Sequence, residues 1–412
     1  MSKLDDLIKE FCPDGVEYKT LAELGNFYGG LTGKSKDDFI DGNAKFISYM
    51  NIFNNLSINI KTDEKVKIAE NEKQHTIQYG DIIFTGSSET PDECGMTSVL
   101  TIKTDEKLYL NSFCFGLHLK DNSILLPDFS KYVFRSNEIR KQIKKTASGV
   151  TRFNVSKKKM EKVTIPVPPI EVQEEIVRIL DSFTELTAEL TAELTARQKQ
   201  YEYYRDTILL FFSDVESVLL EDAFYIKNGY TPSKKNNSFW DNGVIPWFRM
   251  EDIRKNGHIL KDAIQHITPA AVKKSGVFKK NSIMLSTTAT LGEHAIITTD
   301  YISNQQLTNF TLKQEYENKI NPKFAFYYFY IIDSQCYGIA NFSGGIPIID
   351  QQKLKKLTIP VPPLEEQEII VSILDRFDKL CNDIKEGLPA EIEARQKQYE
   401  YYRDKLLTFK EV

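Results

Sequence analysis

The 412-residue sequence lacks most of the patterns by which metal sites, disulfide frameworks and membrane proteins are recognised. Its five cysteines form no CxxC pair and its five histidines are scattered, so we expect buried thiols rather than a zinc site or disulfides. No apolar run is long enough to cross a bilayer, and the N-terminal MSKLDDLIKE has no apolar signal core. These absences predict a cytoplasmic protein without a membrane partner.

Signatures of cofactor chemistry are missing as well. GGLTGKS at residues 29–35 ends like a phosphate-binding loop, but Tyr28 stands where that motif requires its first glycine. VPP occurs twice, without the Asn or Asp that amino-methyltransferases place before Pro-Pro to accept hydrogens from the target amine. We therefore predict no catalytic residue, no metal site and no cofactor in this chain.

Acidic and basic residues are unevenly distributed, which the overall net charge of −5 conceals. Residues 170–206 and residues 364–404 each carry a net charge of −5, so the remainder of the chain has a net charge of +5. Within this remainder, residues 131–162 hold eleven bases against two acids. The sequence therefore predicts two acidic segments and two basic bodies.

The chain repeats itself over most of its length. VTIPVPPIEVQEEIVRILDSF, which begins at Val163, returns as LTIPVPPLEEQEIIVSILDRF, which begins at Leu357. ARQKQYEYYRD at 196–206 recurs without change at 394–404. Such long-period similarity predicts an internal duplication. An N-terminal helical stub supplies the piece that precedes the second copy.

The two bodies between these segments are diverged copies that still align. KFISYMNIFNN answers PWFRMEDIRKN, which sets Ile52 against Ile253, and YGDIIFTGSSE answers KKNSIMLSTTA, which sets Ser87 against Thr287. Short apolar runs such as DIIFT and SIMLST, bounded by Gly, Ser and Asn, are typical of strands, whereas the charged stretch 131–146 favours a helix. Each body is therefore expected to mix α and β structure.

The copied segments favour long helices. Each helix must begin after IPVPP, because prolines lack amide protons and fix φ, and the glutamates that follow suit a helix N-terminus. Gly387 and Pro389 predict a kink or break near 386–389 in the second helix. Apolar residues recur every three or four positions, as in an antiparallel coiled coil, at Ile176, Leu180, Phe183, Leu186, Leu190 and Leu194, and at Leu380, Ile384, Leu388 and Ile392.

These observations predict an α+β protein with two mixed α/β bodies in tandem. A pseudo-twofold is expected to relate the bodies, which are separated by two long antiparallel helices that form a coiled coil. The predicted boundaries are 1–165 for the first body with its helix stub, 166–212 for the first long helix, 213–359 for the second body and 360–412 for the second long helix.

The helices have stayed nearly identical while the bodies have drifted, which favours one kind of partner for the helices and two different targets for the bodies. Lysines, arginines and small hydroxyl residues on loops are suited to phosphates and base edges of DNA. Any single lysine is better explained as a solvated surface charge, Trp247 is expected to pack in the core, and both interpretations stay open for Arg249. The candidate DNA-binding residues are Thr32, Lys34, Ser35, Lys36, Ser87, Ser88, Ser148, Thr151, Arg152, Thr231, Ser233, Lys234, Lys235, Arg249, Thr287, Thr288 and Ser343.

The copied YEYYRD motif supplies candidate partner contacts. Three aromatic residues within four positions cannot all face one helix stripe, so at least one in each copy should be available to a partner, where tyrosine is favoured. The candidate partner-binding residues are Tyr201, Tyr203, Tyr204, Tyr399, Tyr401 and Tyr402.

Two other interpretations remain open. The chain could be a coiled-coil protein-binding adaptor that does not read DNA, and failure to bind any DNA at any salt concentration would favour it. It could also be a self-sufficient modification enzyme, which intrinsic binding of S-adenosylmethionine would favour.

Over its whole length the sequence resembles the specificity subunit of type I restriction–modification systems. The resemblance is carried by SGVT ahead of IPVPPIEVQEEI, FSGG ahead of IPVPPLEEQEII, GYTPSKKN, DIIFT, SNQQL at 303–307 and the TAEL tetrads at 187–194. It implies two target recognition domains, each reading one half of a bipartite site in double-stranded DNA. It also implies helices that dock two adenine methyltransferase subunits using S-adenosylmethionine, translocase–nuclease subunits using ATP and Mg²⁺, and no catalytic residue in this subunit.

Overall fold

Two compact units make up the chain. Unit 1 consists of Met1–Glu189 together with Glu393–Val412, and unit 2 consists of Leu190–Ile392. Each unit mixes helices and strands, so the predicted class of two α/β bodies in tandem is confirmed. Each unit also includes parts of both copied segments. The predicted boundaries instead treated the long helices as segments separate from the two bodies. The residues that the computed structural model describes are 3–211, 215–382 and 387–412.

Unit 1 is built from short helices packed on four small sheets. Its helices are α1 (Lys3–Phe11), α2 (Leu21–Leu24), α3 (Tyr49–Asn54), α4 (Pro127–Val133), α5 (Asn137–Thr146) and α6 (Lys157–Met160). Its strands are β1 (Tyr18–Thr20), β2 (Gly25–Gly29), β3 (Ala44–Ile47), β4 (Lys65–Val66), β5 (Thr76–Ile77), β6 (Ile82–Thr85), β7 (Ser87–Ser88), β8 (Thr97–Val99), β9 (Leu108–Leu110), β10 (Cys114–Leu119), β11 (Ala147–Ser148), β12 (Phe153–Val155) and β13 (Thr164–Pro166).

The strands of unit 1 join in the orders β2-β10-β6-β8, β4-β3-β9-β5, β11-β12-β7 and β1-β13. Strand β6 carries the predicted apolar run and is buried along its whole length. Its Phe84 stacks on Phe115 with ring centres 5.2 Å apart and meets Phe134 edge-on at 5.6 Å. These rings place the core of unit 1 between the first sheet and the helices that follow β10.

The first copied segment forms a single helix, α7 (Ile170–Leu210), of 41 residues. It begins directly after IPVPP, as predicted. Its residues up to Glu189 belong to unit 1 and those from Leu190 onward belong to unit 2, so the division falls within the TAEL tetrads.

Unit 2 repeats the plan of unit 1. Its helices are α8 (Leu220–Ala223), α9 (Met250–Asn256), α10 (Pro322–Cys336), α11 (Gln351–Lys355) and α12 (Leu364–Asn382), and α13 (Leu388–Leu406) then leads into the C-terminal part of unit 1. Its strands are β14 (Ser217–Leu219), β15 (Phe224–Asn228), β16 (Ile245–Phe248), β17 (Ile259–Leu260), β18 (His266–Ile267), β19 (Ser282–Ser286), β20 (His294–Ile297), β21 (Ile302–Ser303), β22 (Leu307–Leu312), β23 (Ala340–Asn341), β24 (Ile348–Ile349) and β25 (Thr358–Pro360).

The strands of unit 2 join in the orders β15-β22-β19-β20-β17, β18-β16-β21, β23-β24 and β14-β25. Phe310 and Phe329 meet at 4.9 Å between ring centres, and Phe224 packs against both rings. The aromatic helix α10 therefore supplies the core of unit 2.

A buried glutamine fixes the start of each long helix. The side-chain oxygen of Gln173 accepts a hydrogen bond from the backbone of Leu126 at 2.8 Å, and its amide donates to the carbonyls of Ile124 and Pro168 at 2.9 and 2.7 Å. Gln367 makes the equivalent set in unit 2, with Asn321, Lys319 and Pro362 as partners at 2.8, 2.8 and 2.7 Å. The repeated Q of the copied segment therefore ties each helix to its own body.

The second copied segment is divided between two helices. Helix α12 ends at Asn382 and α13 begins at Leu388. Gly387 lies in a bend, and Pro389 falls in the first turn of α13, where the missing amide proton costs no helical hydrogen bond. These described positions agree with the predicted break near 386–389, of which residue 386 lies outside the described residues.

Within each unit, α7 contacts the second copied segment through aromatic rings. In unit 1, Phe183 of α7 stacks on Tyr402 of α13 at 5.4 Å, and in unit 2, Tyr204 of α7 stacks on Phe377 of α12 at 6.4 Å.

The predicted apolar stripe is only partly correct. Ile176 and Leu180 are fully buried, whereas Leu380 is 41% exposed and its neighbour Cys381 is buried instead. The second stripe therefore follows a different helix face near its end than the four-residue spacing predicted. Ile384 lies outside the described residues.

Candidate nucleic-acid interface

Four loop segments of unit 1 meet at one end of its first sheet. The backbone N–H of Asn111 donates to Ile47 at 3.1 Å, that of Gly86 to Phe113 at 2.7 Å, and that of Val155 to Gly86 at 2.9 Å. These bonds connect the end of β3, the end of β6, the turn before β10 and the β11–β12 hairpin. Loop cluster 1 denotes residues 47–50, 86–89, 111–113 and 148–152.

Unit 2 forms the same junction. The N–H of Asn304 donates to Phe248 at 3.0 Å, that of Thr287 to Gln306 at 3.0 Å, and that of Ile349 to Thr287 at 2.9 Å. Each bond has its counterpart in unit 1, although few of the side chains agree. Loop cluster 2 denotes residues 248–251, 287–289, 304–306 and 342–347.

This equivalence corrects the predicted alignment of the bodies by one residue. Thr287 takes the place of Gly86, and Thr288 takes the place of Ser87, which was expected to match Thr287. The Thr287 hydroxyl is buried and lies 3.0 Å from that of Thr308. Its position argues against a contact between Thr287 and DNA, whereas Thr288 is half-buried at the edge of loop cluster 2.

A groove of about 500 Å³ opens in loop cluster 1. Four of the predicted DNA-binding residues are among those that line it. The lining residues are Tyr49, Met50, Phe53, Ser87, Ser88, Glu89, Glu93, Phe113, Thr151 and Arg152.

Arg152 joins several parts of this groove. Its Nε donates to the Ser87 hydroxyl at 3.2 Å, and its guanidinium carbon lies 5.4 Å from the centre of the Phe113 ring. Tyr49 donates its hydroxyl proton to the Ser87 carbonyl at 2.9 Å, and Ser88 donates to Glu93 at 3.0 Å. Arg152 is nevertheless exposed, so its remaining guanidinium protons face solvent.

The hairpin that carries Arg152 depends on glycine. Gly149 has φ +148°, and a Cβ there would lie 2.0 Å from the Arg152 carbonyl oxygen. Ser148 and Thr151 flank the tip and are exposed. The matching hairpin of unit 2 also has a left-handed glycine, Gly345, with φ +75°. Ser343 of this hairpin is exposed, and its N–H donates to Asn341 Oδ1 at 2.9 Å.

The GGLTGKS loop contributes less free charge than its sequence suggested. Lys34 Nζ lies 2.6 Å from Glu72 Oε2 and donates to the Lys67 carbonyl at 2.6 Å, which leaves its side chain 9% exposed. This ion pair argues against a phosphate contact by Lys34, and the lysine's hydrogen bond lowers the pKa of Glu72 to about 2. Ser35 is held by Asp38 through its N–H and hydroxyl, both at 2.8 Å. Thr32 and Lys36 are exposed.

The GYTPSKKN loop is the counterpart in unit 2. The Thr231 hydroxyl donates to Gln305 Oε1 at 2.5 Å, which fastens this loop to loop cluster 2. The Ser233 carbonyl accepts from Trp240 Nε1 at 3.1 Å, and Lys234 and Lys235 are exposed. The predicted residues of this loop thus lie beside those of the cluster.

The structure places Trp247 in the core and Arg249 at the surface. Trp247 is 2% exposed and donates its Nε1 proton to the Tyr230 carbonyl at 3.0 Å, which confirms core packing. Arg249 is part-exposed at the start of α9, with its guanidinium 3.0 Å from Glu251 and 5.6 Å from the Trp247 ring. Arg249 therefore lies at the surface of loop cluster 2, already paired with one carboxylate.

Arg135 and Arg140, two arginines of the basic stretch 131–162, hold backbone segments of unit 1 together. The Arg135 guanidinium donates to the carbonyls of Thr97, Ile52, Phe53 and Asn55, and that of Arg140 donates to those of Gly95, Asp92 and Cys94. Burial lowers the pKa of each to about 10, so both remain charged at neutral pH. Arg152 and the three lysines of α6 are exposed and supply positive charge at the surface.

The first two tyrosines of YEYYRD have the same burial in both copies, whereas the third differs between them. Tyr201 and Tyr399 are 3% and 6% exposed, so their positions argue against partner contacts. Tyr203 and Tyr401 are 67% and 61% exposed, and these are the tyrosines best placed for a partner. Tyr402 is half-buried against Phe183, whereas Tyr204 stacks on Phe377 and is still 43% exposed.

Several residues of the loop clusters were not predicted from the sequence. In loop cluster 1 these are Tyr49, Met50 and Phe113, and in loop cluster 2 they are Gln305 and Gln306. The sequence does hold a usable signal, because aligning NSFCF at 111–115 with NQQLT at 304–308 sets Phe113 against Gln306 just before an apolar strand.

Among the described residues, no group of three or more His, Cys, Asp and Glu side chains could hold a metal ion. All five cysteines are buried and free, as expected. No helix in the described part of the chain combines the length and apolar character needed to span a membrane.

Comparison with known proteins places these two units in one family. The family model for the type I restriction modification DNA specificity domain matches residues 13–197 and 213–394. The chain is 44% identical over 205 residues to the type I restriction enzyme EcoprrI specificity subunit of Escherichia coli, covering 48% of this chain and 51% of that protein. It is 42% identical over 269 residues to the EcoR124I/EcoR124II specificity subunit of Escherichia coli, covering 62% of this chain and 65% of that protein.

The match thus spans about half of the first relative and less than two thirds of the second. A solved structure, described as the basis of complex assembly and conformational transition of the type I R-M system, has the same fold. It aligns with a TM-score of 0.65 at 18% identity, over 96% of this chain and 98% of that one. Because the family model matches both units, the chain belongs to the type I restriction modification DNA specificity domain family.

Proposed function

We propose that this chain is the DNA-reading subunit of a type I restriction–modification complex. Unit 1 and unit 2 each read one half of a bipartite site in double-stranded DNA. One observation carries the proposal: the two units form the same loop junction from the same backbone hydrogen bonds, but present different side chains there. A constant scaffold with variable loop side chains is suited to reading two different short sequences.

The contacts divide into two classes. Four exposed cations are assigned to phosphates: Arg152 within loop cluster 1, Lys36 on the GGLTGKS loop, and Lys234 and Lys235 on the GYTPSKKN loop. Exposed polar and apolar side chains within the clusters are assigned to base edges. Ser148, Thr151, Thr231, Thr288 and Ser343 stay in the proposed interface, whereas Lys34 and Thr287 are withdrawn from it.

The chemistry belongs to partner subunits in this proposal. Two adenine methyltransferase subunits that use S-adenosylmethionine dock on the copied helices, and translocase–nuclease subunits that use ATP and Mg²⁺ complete the complex. The relatives are named specificity subunits, which supports a recognition role for this chain rather than a catalytic one. Tyr203 and Tyr401 are the proposed contacts for the two methyltransferase subunits, because they are the most exposed aromatic residues of the two copies.

Methylome sequencing of cells with and without this gene, together with its partner genes, tests the proposal. We expect adenine methylation at one bipartite motif that disappears with the gene. Replacing residues 20–150 with the corresponding body of a relative should change only one half of the motif. An unchanged motif after this replacement would contradict the proposal and favour the protein-binding adaptor.

Binding measurements on the purified complex separate phosphate contacts from bulk charge. Arg152→Ala should weaken binding and reduce the slope of log K against log salt by about one unit. Lys162→Ala is the matched control. Lys162 is exposed in the same basic stretch, but the chain beside it packs on α2 at the opposite end of β2, where Ala22 donates to Glu161 at 3.2 Å. Equal effects of the two variants would refute the assignment of Arg152.

A further inference from the structure

The turns before β10 and β22 have the same backbone and present different side chains. In unit 1, Asn111 Oδ1 accepts a hydrogen bond from the N–H of Phe113 at 2.8 Å, and in unit 2, Asn304 Oδ1 accepts from the N–H of Gln306 at 3.1 Å. The carbonyls of Phe113 and Gln306 accept the equivalent bonds described above. Phe113 and Gln306 therefore occupy the same structural position, one in each loop cluster.

The surroundings of Phe113 are apolar and exposed. Phe113 is 57% exposed, and Met50 and Val150 of the same loop cluster are 55% and 91% exposed. Arg152 lies over the Phe113 ring and restricts its orientation. Three large apolar side chains left in water at one site add nothing to the core of unit 1, so they mark an interaction surface.

The surroundings of Gln306 are polar. Gln306 Oε1 accepts from Asn304 Nδ2 at 3.3 Å, and Gln305 Oε1 accepts from the Thr231 hydroxyl at 2.5 Å. Both glutamines are exposed, and neither Nε2 donates a hydrogen bond to any described residue. Loop cluster 2 therefore offers amide protons where loop cluster 1 offers an aromatic ring.

The major groove of DNA presents groups that can contact either an aromatic ring or a side-chain amide. Thymine presents its C5-methyl group there, which packs against apolar side chains such as Phe, and purines present N7, which accepts a hydrogen bond from Gln or Asn. We infer that Phe113 and Gln306 determine specificity by different means. Phe113 packs on a thymine methyl in the half-site of unit 1, and Gln306 donates to purine N7 in the half-site of unit 2. This inference rests on the proposed function.

Base analogues test the two contacts separately in the full complex. The replacement of residues 20–150 first assigns each half-site to its unit. Duplexes then carry deoxyuridine for one thymine, or a 7-deazapurine for one purine, at each position in turn. At one thymine of the unit 1 half-site, loss of the methyl should weaken binding about three- to fivefold, as removal of one buried methyl group predicts. At one purine of the unit 2 half-site, loss of N7 should weaken binding about fivefold or more.

Variants identify the side chain responsible. Phe113→Ala should abolish the effect of deoxyuridine and leave that of 7-deazapurine unchanged, and Gln306→Ala should do the reverse. Each variant is thus the matched control for the other. Phe113→Gln, which copies the residue of unit 2 into the same turn, guards against a folding defect and should also abolish the deoxyuridine effect.

The outcomes distinguish this inference from the proposed function. Specific binding that tolerates deoxyuridine throughout the unit 1 half-site would overturn the assignment of Phe113. So would sensitivity confined to flexible pyrimidine–purine steps, because that result indicates a wedge between bases. Complete absence of specific binding and methylation would instead refute the proposed function.

Discussion

The buried glutamines at the starts of the long helices give the sharpest test of the fold. Gln173 is fully buried, and its amide serves three backbone groups, so Gln173→Ala leaves one N–H and two carbonyls of unit 1 without their partner. An unsatisfied buried polar group costs about 1–3 kcal/mol, and unpaired carbonyls are better tolerated than an unpaired N–H. We therefore expect a loss of about 3–5 kcal/mol, a large share of the roughly 5–15 kcal/mol that stabilises a typical domain.

Two further substitutions separate hydrogen bonding from packing. Gln173→Met keeps most of the side-chain volume but none of the hydrogen bonds, so it should destabilise unit 1 nearly as much as alanine does. Gln173→Glu keeps an acceptor for the N–H of Leu126 and sets a carboxylate against two carbonyl oxygens, so it should not rescue stability.

The equivalent variant in unit 2, Gln367→Ala, is the matched control. Hydrogen exchange monitored by mass spectrometry should show lost protection in peptides around 124–133 for the Gln173 variants and around 319–332 for Gln367→Ala. A loss below about 1 kcal/mol, or the same peptides affected by both alanine variants, would refute the reasoning.

Three other perturbations have defined outcomes. Deleting Thr191–Leu194 shortens α7 by about 6 Å and removes one helical turn plus about 40° of rotation. For comparison, one base pair of DNA adds about 3.4 Å of length and about 35° of rotation. Methylome sequencing should then show a spacer shorter by one or two base pairs between unchanged half-sites, and a changed half-site with an unchanged spacer would contradict this. Hydrogen bonds and charge from Arg178 and Lys3 lower the pKa of Glu175 from 4.5 to about 2, so its stabilising effect is complete above pH 4.5 and is lost as the pH falls towards 2. Urea unfolding of Glu175→Gln should therefore show lower stability at pH 7 and a shallower decline between pH 4.5 and 2, and a decline as steep as that of the parent would count against the assignment. Tyr203→Ala and Tyr401→Ala should each weaken the docking of one methyltransferase subunit, measured by native mass spectrometry, and full occupancy in the double variant would disprove this role.

The duplication was predictable because two strong local signals survive in both copies. Prolines fix where each long helix begins, and the copied letters fix which residues correspond, so α7 and the start of α12 follow from the sequence. The bodies aligned well where apolar spacing is constrained, as at Ile52 and Ile253. The alignment slipped by one residue at Ser87 and Thr287, because strands β6 and β19 share a burial pattern with almost no identical side chains to fix their register.

Individual site residues were less predictable, since a side chain's role depends on partners that are distant in sequence. Lys34 belongs to a loop suited to phosphate, but Glu72, 38 positions later, neutralises it. Arg135 and Arg140 appear as part of a basic stretch, but they bind carbonyls between 38 and 83 positions earlier in the chain. Phe113 gave no signal by residue type, because an isolated phenylalanine before a strand normally predicts core.

Packing inside each unit helps to explain why YEYYRD is identical in both copies. The sequence alone had suggested a shared partner as the reason. Tyr201 and Tyr399 are each buried in their own unit, and each is followed by an Arg–Asp pair whose arginine lies near that tyrosine's ring, at 5.5 and 5.7 Å. Equal packing in both units therefore preserves these positions without any partner. Packing does not explain why Tyr203 and Tyr401 are identical, because most of each side chain is exposed to water. A shared partner would therefore preserve the exposed tyrosine of each copy, whereas packing alone accounts for the buried one.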